Sequence, residues 1–162
     1  MAIGAPRIHP GGKDPLATNL RIPVKSGISA PEAAYSTRMG QCWNINSLDG
    51  MGALADGSVD LVVTSPPFAL RRRKAYGNVE PADYAAWLWP YVEQIHRILH
   101  PKGSFVLELG GAWNRGSGTR SLYQYELLLQ LSRIFFLAQD FYWFNPSKLP
   151  TPAQWVTIRR TR

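Results

Sequence analysis

Cysteine is nearly absent from this chain of 162 residues. Cys42 stands alone, so no internal disulfide can staple the fold and no multi-cysteine zinc site can form. Histidine is also scarce: His9, His96 and His100 share no ligand spacing with nearby acids, and no metal site is expected. No apolar run approaches the ~18 residues that a membrane-spanning helix needs, so no membrane partner is expected. The first thirty residues scatter Pro6, Pro10, Pro15 and Pro23 among charges and lack the apolar core of a secretory leader. The cytoplasm is therefore the expected compartment. Negative charge is in short supply too. Eleven acidic against eighteen basic residues leave a net charge of +7, and thirteen of the basic residues are arginine. Such a balance supplies affinity for phosphate, so DNA or RNA is a candidate partner; a basic solvated surface accounts for the charge equally well.

What is present reads as globular. The length suits one domain with a sizeable core, and 45% hydrophobic with 18% charged residues is neither a disordered nor a membrane composition. Residues 1–34 are rich in Pro and Gly without periodicity, and read as a mobile arm or a segment laid over a partner. Residues 35–162 carry the folded pattern. A short strand is expected over 41–45 and a short helix over 47–54. Val59 to Val63 is a β-branched run after the turn Asp56-Gly57-Ser58, the pattern of a buried strand. Helical spacing of Trp87, Tyr91, Ile95 and Ile98 or Leu99 predicts a helix over 83–99, stopped by the turn His100-Pro101-Lys102-Gly103. Ser104 to Leu109 reads as a second buried strand closed by Gly110-Gly111, followed by a helix over 121–136 and an aromatic strand over 139–144. Strands alternating with helices make an α/β layer fold with a mostly parallel sheet. Ligands of such sheets gather at the carboxyl ends of the strands, here just after Val63 and Leu109.

The first of those places holds Thr64-Ser65-Pro66-Pro67-Phe68. Two consecutive prolines remove two backbone donors and fix both φ angles, so the chain leaves the sheet in a rigid, extended bend. The carbonyls of Ser65 and Pro66 stay free to accept hydrogen bonds, with the apolar plate of Phe68 beside them. Rigid acceptors next to an aromatic face suit a planar base carrying an exocyclic amino group. The bare residues also describe a proline-stiffened loop with a packed phenylalanine. Arg71-Arg72-Arg73-Lys74 follows; four adjacent charges cannot all face a core, so they are solvated or meet phosphate.

The string from Asp60 to Phe68 resembles the catalytic motif of DNA amino-methyltransferases, whose core is [D/N/S]-P-P-[Y/F]. Further stretches are similar to the same family in the expected order. These are Ala69-Leu70 with the basic run to Lys74, Tyr76-Gly77-Asn78, Leu99 to Gly111, and Asp140 to Pro150. The resemblance covers roughly residues 35 to 162 and points to a restriction-modification methylase of the β arrangement, in which the catalytic half comes first. It implies a doubly wound, mostly parallel sheet of the S-adenosylmethionine-dependent type, incomplete in this chain. It implies S-adenosylmethionine as cofactor and double-stranded DNA as partner, with the target base flipped out of the duplex. By the same resemblance Ser65 and the Pro66 carbonyl hold the amino group, with Pro67 completing the motif. Phe68 stacks on the base, and the methyl passes directly to nitrogen with no covalent cysteine step. Asn46, Thr64 and Ser65 are the implied cofactor contacts. Trp143, Phe144 and Asn145 are implied walls of the base pocket, and Arg71, Arg72, Arg73 and Lys74 implied contacts to the DNA backbone. The serine form is similar to the subset acting on the 4-amino group of cytosine; an N6-adenine enzyme is the alternative within the family.

Two departures stand out. The family usually carries Gly-Asp before the catalytic strand, where this chain reads Ile45-Asn46, and Glu108 stands where a shorter acid is common. The β arrangement also places a glycine-rich cofactor motif and a target-recognition region after the part matched here. Gly110-Gly111 and Gly116-Ser117-Gly118 do not fit that motif. The expectation is a truncated or split catalytic half that pairs with a complementary chain or with itself. A non-catalytic remnant that binds DNA or a partner chain is the competing reading.

Overall fold

A computed structural model gives the fold of residues 22–69, 75, 77–114, 116 and 119–143. Tyr35–Ser36 (β1) and Gln41–Cys42 (β2) pair antiparallel, with Tyr35 opposite Cys42. The Thr37 hydroxyl closes this hairpin by accepting from the amides of Met39 and Gly40 at 3.2 and 3.1 Å. The strand expected over 41–45 is therefore shorter. Ser47–Ala53 (α1) follows, as the spacing predicts. Its N-cap is Asn46, whose side-chain oxygen accepts from the amide of Leu48 at 2.9 Å.

Val59–Thr64 (β3) and Leu99–Leu107 (β4) lie parallel, joined through helix Tyr84–Ile98 (α2), which a 3₁₀ turn over Pro81–Asp83 introduces. Leu61 to Thr64 pair in step with Ser104 to Leu107. Upstream, Val59 already pairs with Leu99, so His100 to Gly103 bulge out between the two pairings. The expected turn is thus an irregularity inside β4. It requires glycine, since a Cβ on residue 103 would lie 2.9 Å from the carbonyl oxygens of both Asp60 and His100.

Both strands were expected to be buried; only one face of each is. Val62, Phe105 and Leu107 are half-buried toward the helices, and Phe105 meets Phe135 with ring centroids 5.5 Å apart. On the other face Leu61, Val63 and Val106 are 56%, 66% and 46% exposed. Among the described residues the helices cover one side of the sheet only, and a β-branched run reads the same whether one face or two are covered.

The stripe that α2 buries is Tyr84, Leu88, Val92, Ile95 and Ile98, rotated from the expected one; Trp87 and Tyr91 flank it half-buried, their rings 5.6 Å apart. Against this stripe packs Tyr123–Leu131 (α3), which buries Tyr123 and Leu127. Helix α3 ends five residues before the predicted stop and passes into turns through Phe135. Residues 139–143 form no strand. Phe141, Tyr142 and Trp143 are strongly exposed, and no described strand pairs with them, so their β propensity has no neighbour to act on. Part of the Pro/Gly-rich stretch is tied down: Val24 bridges Leu54, and Lys25 N–H donates to Ala53 O at 2.9 Å.

Arg97 fastens α2 to the end of α1. Its guanidinium donates to Leu54 O at 2.9 Å and to Met51 O at 2.6 Å, which also accepts from Leu54 N–H at the helix end, and it pairs with Asp56. The turn into β3 is held at the same point, where Gly57 N–H donates to Arg97 O at 3.0 Å.

Candidate functional site

The carboxyl ends of β3 and β4 release two segments that run side by side. Glu108 N–H donates to Thr64 O at 3.0 Å, so the strand pairing continues to the brink of the Ser65-Pro66-Pro67-Phe68 bend. Ser65 is exposed there, Pro66, Pro67 and Phe68 are half-buried, and Ala69 is fully buried. The bend therefore presents its serine outward while its far end is anchored in the core cluster formed with Tyr84, Leu88, Ala112, Tyr123 and Leu127.

Phe68 is held by glycine. A Cβ on Gly110 would lie 2.5 Å from Phe68 Cδ2 and 2.8 Å from Cε2, so the ring rests on the bare backbone of β4's exit. Tyr123 fixes that backbone from beneath, its hydroxyl donating to Gly110 O. Burial raises the Tyr123 pKa, which keeps it protonated and a donor; a backbone hydrogen bond with Ala69 acts in the opposite sense. One tyrosine thus touches both segments, after Phe68 and at Gly110. Tyr84 packs edge-on to Tyr123 with centroids 4.9 Å apart. Its own buried hydroxyl finds no partner among the described residues, and burial together with Tyr123 pushes its pKa well above the ordinary value.

The expected site residues fall into three groups. Thr64, Ser65, Pro66, Pro67 and Phe68 form one continuous bend at the sheet's carboxyl edge, with the exposed carboxylate of Glu108 on the neighbouring segment. Asn46 caps α1, so its side-chain oxygen is already engaged. Trp143 is 79% exposed and makes no ring contact with Phe68 among the described residues. Arg71, Arg72, Arg73, Lys74, Phe144 and Asn145 lie outside the described residues. Cys42 is half-buried in β2.

Sequence reasoning missed Gly110 and Tyr123 as parts of the site. From the sequence, Gly110-Gly111 closes a strand within the family-like stretch and does not fit the cofactor motif, and neither reading gives it a role beside Phe68. The available signal was a glycine pair at the carboxyl end of one strand, facing an aromatic residue at the carboxyl end of the next.

Residues 59–160 match the family model of the N6/N4 type described as DNA methylase. The chain is 45% identical over 131 residues to the Type II methyltransferase M.PvuII of Proteus hauseri, an overlap of 80% of this chain and 39% of that protein. It is 32% identical over 81 residues to the Type II methyltransferase M.BglII of Bacillus subtilis, covering 49% of this chain and 22% of that one. Among solved structures, the cytosine-N4-specific PvuII DNA methyltransferase superposes with a TM-score of 0.60 at 44% identity, over 74% of this chain and 43% of that chain. The chain spans less than half the length of these relatives.

Proposed function

The chain belongs to the N6/N4 DNA methylase family, and from that premise we propose that it transfers a methyl group from S-adenosylmethionine to the 4-amino group of a flipped cytosine in double-stranded DNA. The observation that carries this reading is the rigid Ser65–Phe68 bend at the carboxyl edge of a parallel strand pair, in a chain 44% identical over its matched part to the cytosine-N4-specific PvuII DNA methyltransferase. Those comparisons favour cytosine over adenine as target. The relatives are Type II methyltransferases, which supports a restriction-modification role, and a DNA substrate supports a cytoplasmic location.

S-adenosylmethionine is a zwitterionic nucleoside with ribose hydroxyls. The hydroxyls of Thr64 and Ser65 and the exposed carboxylate of Glu108 are a donor and acceptor set that suits it. When bound, it supplies an electrophilic methyl group at its sulfonium. The work of the chain is on the base. Ser65 Oγ and the Pro66 carbonyl accept hydrogen bonds from the amino group and draw its lone pair out of ring conjugation; as the carbon–nitrogen bond forms and the methyl's bond to sulfur breaks, one of the two amino protons leaves to solvent and the other stays on the product nitrogen. Phe68, immobilised on Gly110, stacks on the ring and fixes the angle of approach. Positioning and pre-aimed dipoles lower the barrier without a covalent intermediate. Trp143, Phe144 and Asn145 complete the wall of the base pocket in this reading, and Arg71 to Lys74 meet the DNA backbone.

The strand–helix–strand unit is read as part of a doubly wound sheet. Its second layer would cover Leu61, Val63 and Val106, supplied from outside the described residues or by an associated chain. One observation favours the competing reading of a DNA-binding protein without catalysis: Asn46, at the position where the family carries an acid, is engaged in capping α1.

The test is transfer of radiolabelled methyl from S-adenosylmethionine to mixed-sequence duplex DNA, by the chain alone and with the cofactor half of a related β-type methylase. Label recovered as N4-methylcytosine and lost in Ser65→Ala supports the reading. Label in N6-methyladenine reassigns the target. Silence in both arms, with salt-sensitive DNA binding intact, leaves the non-catalytic reading standing.

A further inference from the structure

We propose that Arg120 is a DNA-phosphate contact, stacked in place on Trp113 beside the target-base site; the inference rests on the reading of the chain as a DNA methylase.

Beyond Gly111 the chain turns out and back in a hairpin. Trp113 and Arg120 pair as an antiparallel bridge, Ser121 N–H donates to Ala112 O and Asn114 N–H to Thr119 O, both at 2.9 Å. The Asn114 side chain staples the same hairpin, donating to Thr119 Oγ1 at 3.0 Å and Arg120 O at 3.2 Å. The backbone under Arg120 is therefore fixed. Its side chain is held as well: the guanidinium carbon lies 4.0 Å from the centroid of the Trp113 ring, in cation–π contact. A Cβ on Gly111 would be 3.5 Å from one guanidinium nitrogen, which sets the cation over the residue next to Gly110, on which Phe68 rests.

Arg120 is exposed, yet the one ion pair among the described residues is between Arg97 and Asp56. Glu80 and Glu126 line a cavity of about 490 Å³ together with Trp113 and Arg120, but neither carboxylate is within the 4.0 Å of an ion pair. Those two acids make the cavity's interior unsuitable for an anion and leave the solvent-facing edge of the guanidinium for one. Stacking on tryptophan has already removed much of the rotamer freedom that a surface arginine loses on binding, and a contact through the guanidinium face uses none of its in-plane N–H groups. That planar fork matches two oxygens of a phosphodiester. Located one residue from the support of Phe68, it would grip the backbone close to a flipped nucleotide, a contact that positions the strand without reading its sequence.

The test is binding of a fluorescein-labelled duplex, followed by anisotropy across a salt series, for the parent chain, Arg120→Gln, Arg120→Lys and Trp113→Leu. Loss of one phosphate contact lowers the log–log salt slope by about 0.9 in Arg120→Gln. The same change raises Kd at low salt by roughly tenfold, as expected for a charge-assisted hydrogen bond. Arg120→Lys restores the slope. Trp113→Leu keeps the slope but weakens binding, because the cation is no longer pre-positioned, and parental affinity in that variant overturns the stacking half of the proposal. Thermal midpoints of the Arg120 variants stay within a few degrees of the parent, since the side chain is exposed and gives up one surface cation–π contact. An unchanged slope in Arg120→Gln, with salt-dependent binding by the parent, overturns the proposal alone. A parent chain that binds no DNA overturns it together with the reading beneath it. Inorganic phosphate added at constant ionic strength should not displace the duplex; displacement would mean a site for free phosphate instead.

Discussion

The ring of Phe68 occupies the space that a side chain on residue 110 would fill. This relationship joins the Ser65–Phe68 bend to the exit of the neighbouring strand, and it makes Gly110 a positioning residue for the aromatic plate. Gly110→Ala must displace the ring, an overpacking that costs about 1–3 kcal/mol of stability. Methyl transfer should fall by about tenfold or more, the equivalent of 1.4 kcal/mol in the barrier. A double-mutant cycle separates support of Phe68 from general damage. In a Phe68→Ala background, where no ring remains to be displaced, Gly110→Ala should cost no further activity, whereas equal losses in both backgrounds would mean that the two residues act independently. NMR gives a readout that needs no activity: the α-protons of Gly110 should lie upfield under the ring and return toward ordinary glycine values in Phe68→Leu.

The bend itself was legible in the sequence because its physics is local. Two prolines after a β-branched run fix an extended exit whatever surrounds them, and Thr64 to Phe68 form it. The parallel strand pair and its connecting helix were legible for the same reason, from period and turn residues. Tertiary features were not. Val59 to Val63 reads as doubly buried, but one face is open, because burial is set by a layer that a single strand cannot encode. The aromatic run from Phe141 to Trp143 carries strand propensity yet pairs with no described strand. The role of Gly110 depends on Phe68, forty-two positions earlier, meeting it in space.

Tyr84 carries a buried hydroxyl with no hydrogen-bond partner among the described residues. Tyr84→Phe removes that group and keeps the ring packed against Trp87 and Tyr123, so unfolding free energy should rise by about 1 kcal/mol. The change also has a pH signature. Burial raises the folded-state pKa of Tyr84 above its ordinary 10.0, so the folded chain keeps the proton that the unfolded chain begins to lose at that pH. Stability is therefore full below pH 10 and falls as pH rises beyond it. Urea titrations between pH 9 and 11 should show a shallower decline in Tyr84→Phe than in the parent; Tyr123, also raised by burial, supplies the remaining slope.

Arg97 illustrates which part of an ion pair matters. Asp56 is 71% exposed, so their Coulomb interaction is screened, and Asp56→Asn should cost less than about 1 kcal/mol. Arg97→Met keeps the apolar stem but leaves the carbonyls of Met51 and Leu54 without their charged donor, with an expected cost of about 1.5–3 kcal/mol. Urea midpoints at constant m-value distinguish the two. A larger loss in Asp56→Asn than in Arg97→Met would overturn this ranking.

Val62 and Val63 are neighbours in β3 with opposite surroundings. Val62 is half-buried beside Phe105 of β4, while Val63 is 66% exposed on a face it shares with Leu61 and Val106. A charge should therefore be ruinous at one position and harmless to folding at the next. Val62→Lys places an ammonium against the helices and should abolish cooperative unfolding. Val63→Lys should leave the thermal midpoint within a few degrees of the parent's, since little burial is lost. Association depends on the same face, because contiguous exposed apolar surface tends to find a cover. In sedimentation velocity at micromolar concentration the parent should sediment as more than a monomer, and Val63→Lys should shift the distribution toward monomer. A monodisperse monomeric parent would show that this face needs no partner, and would remove the support that it lends to association with a further chain.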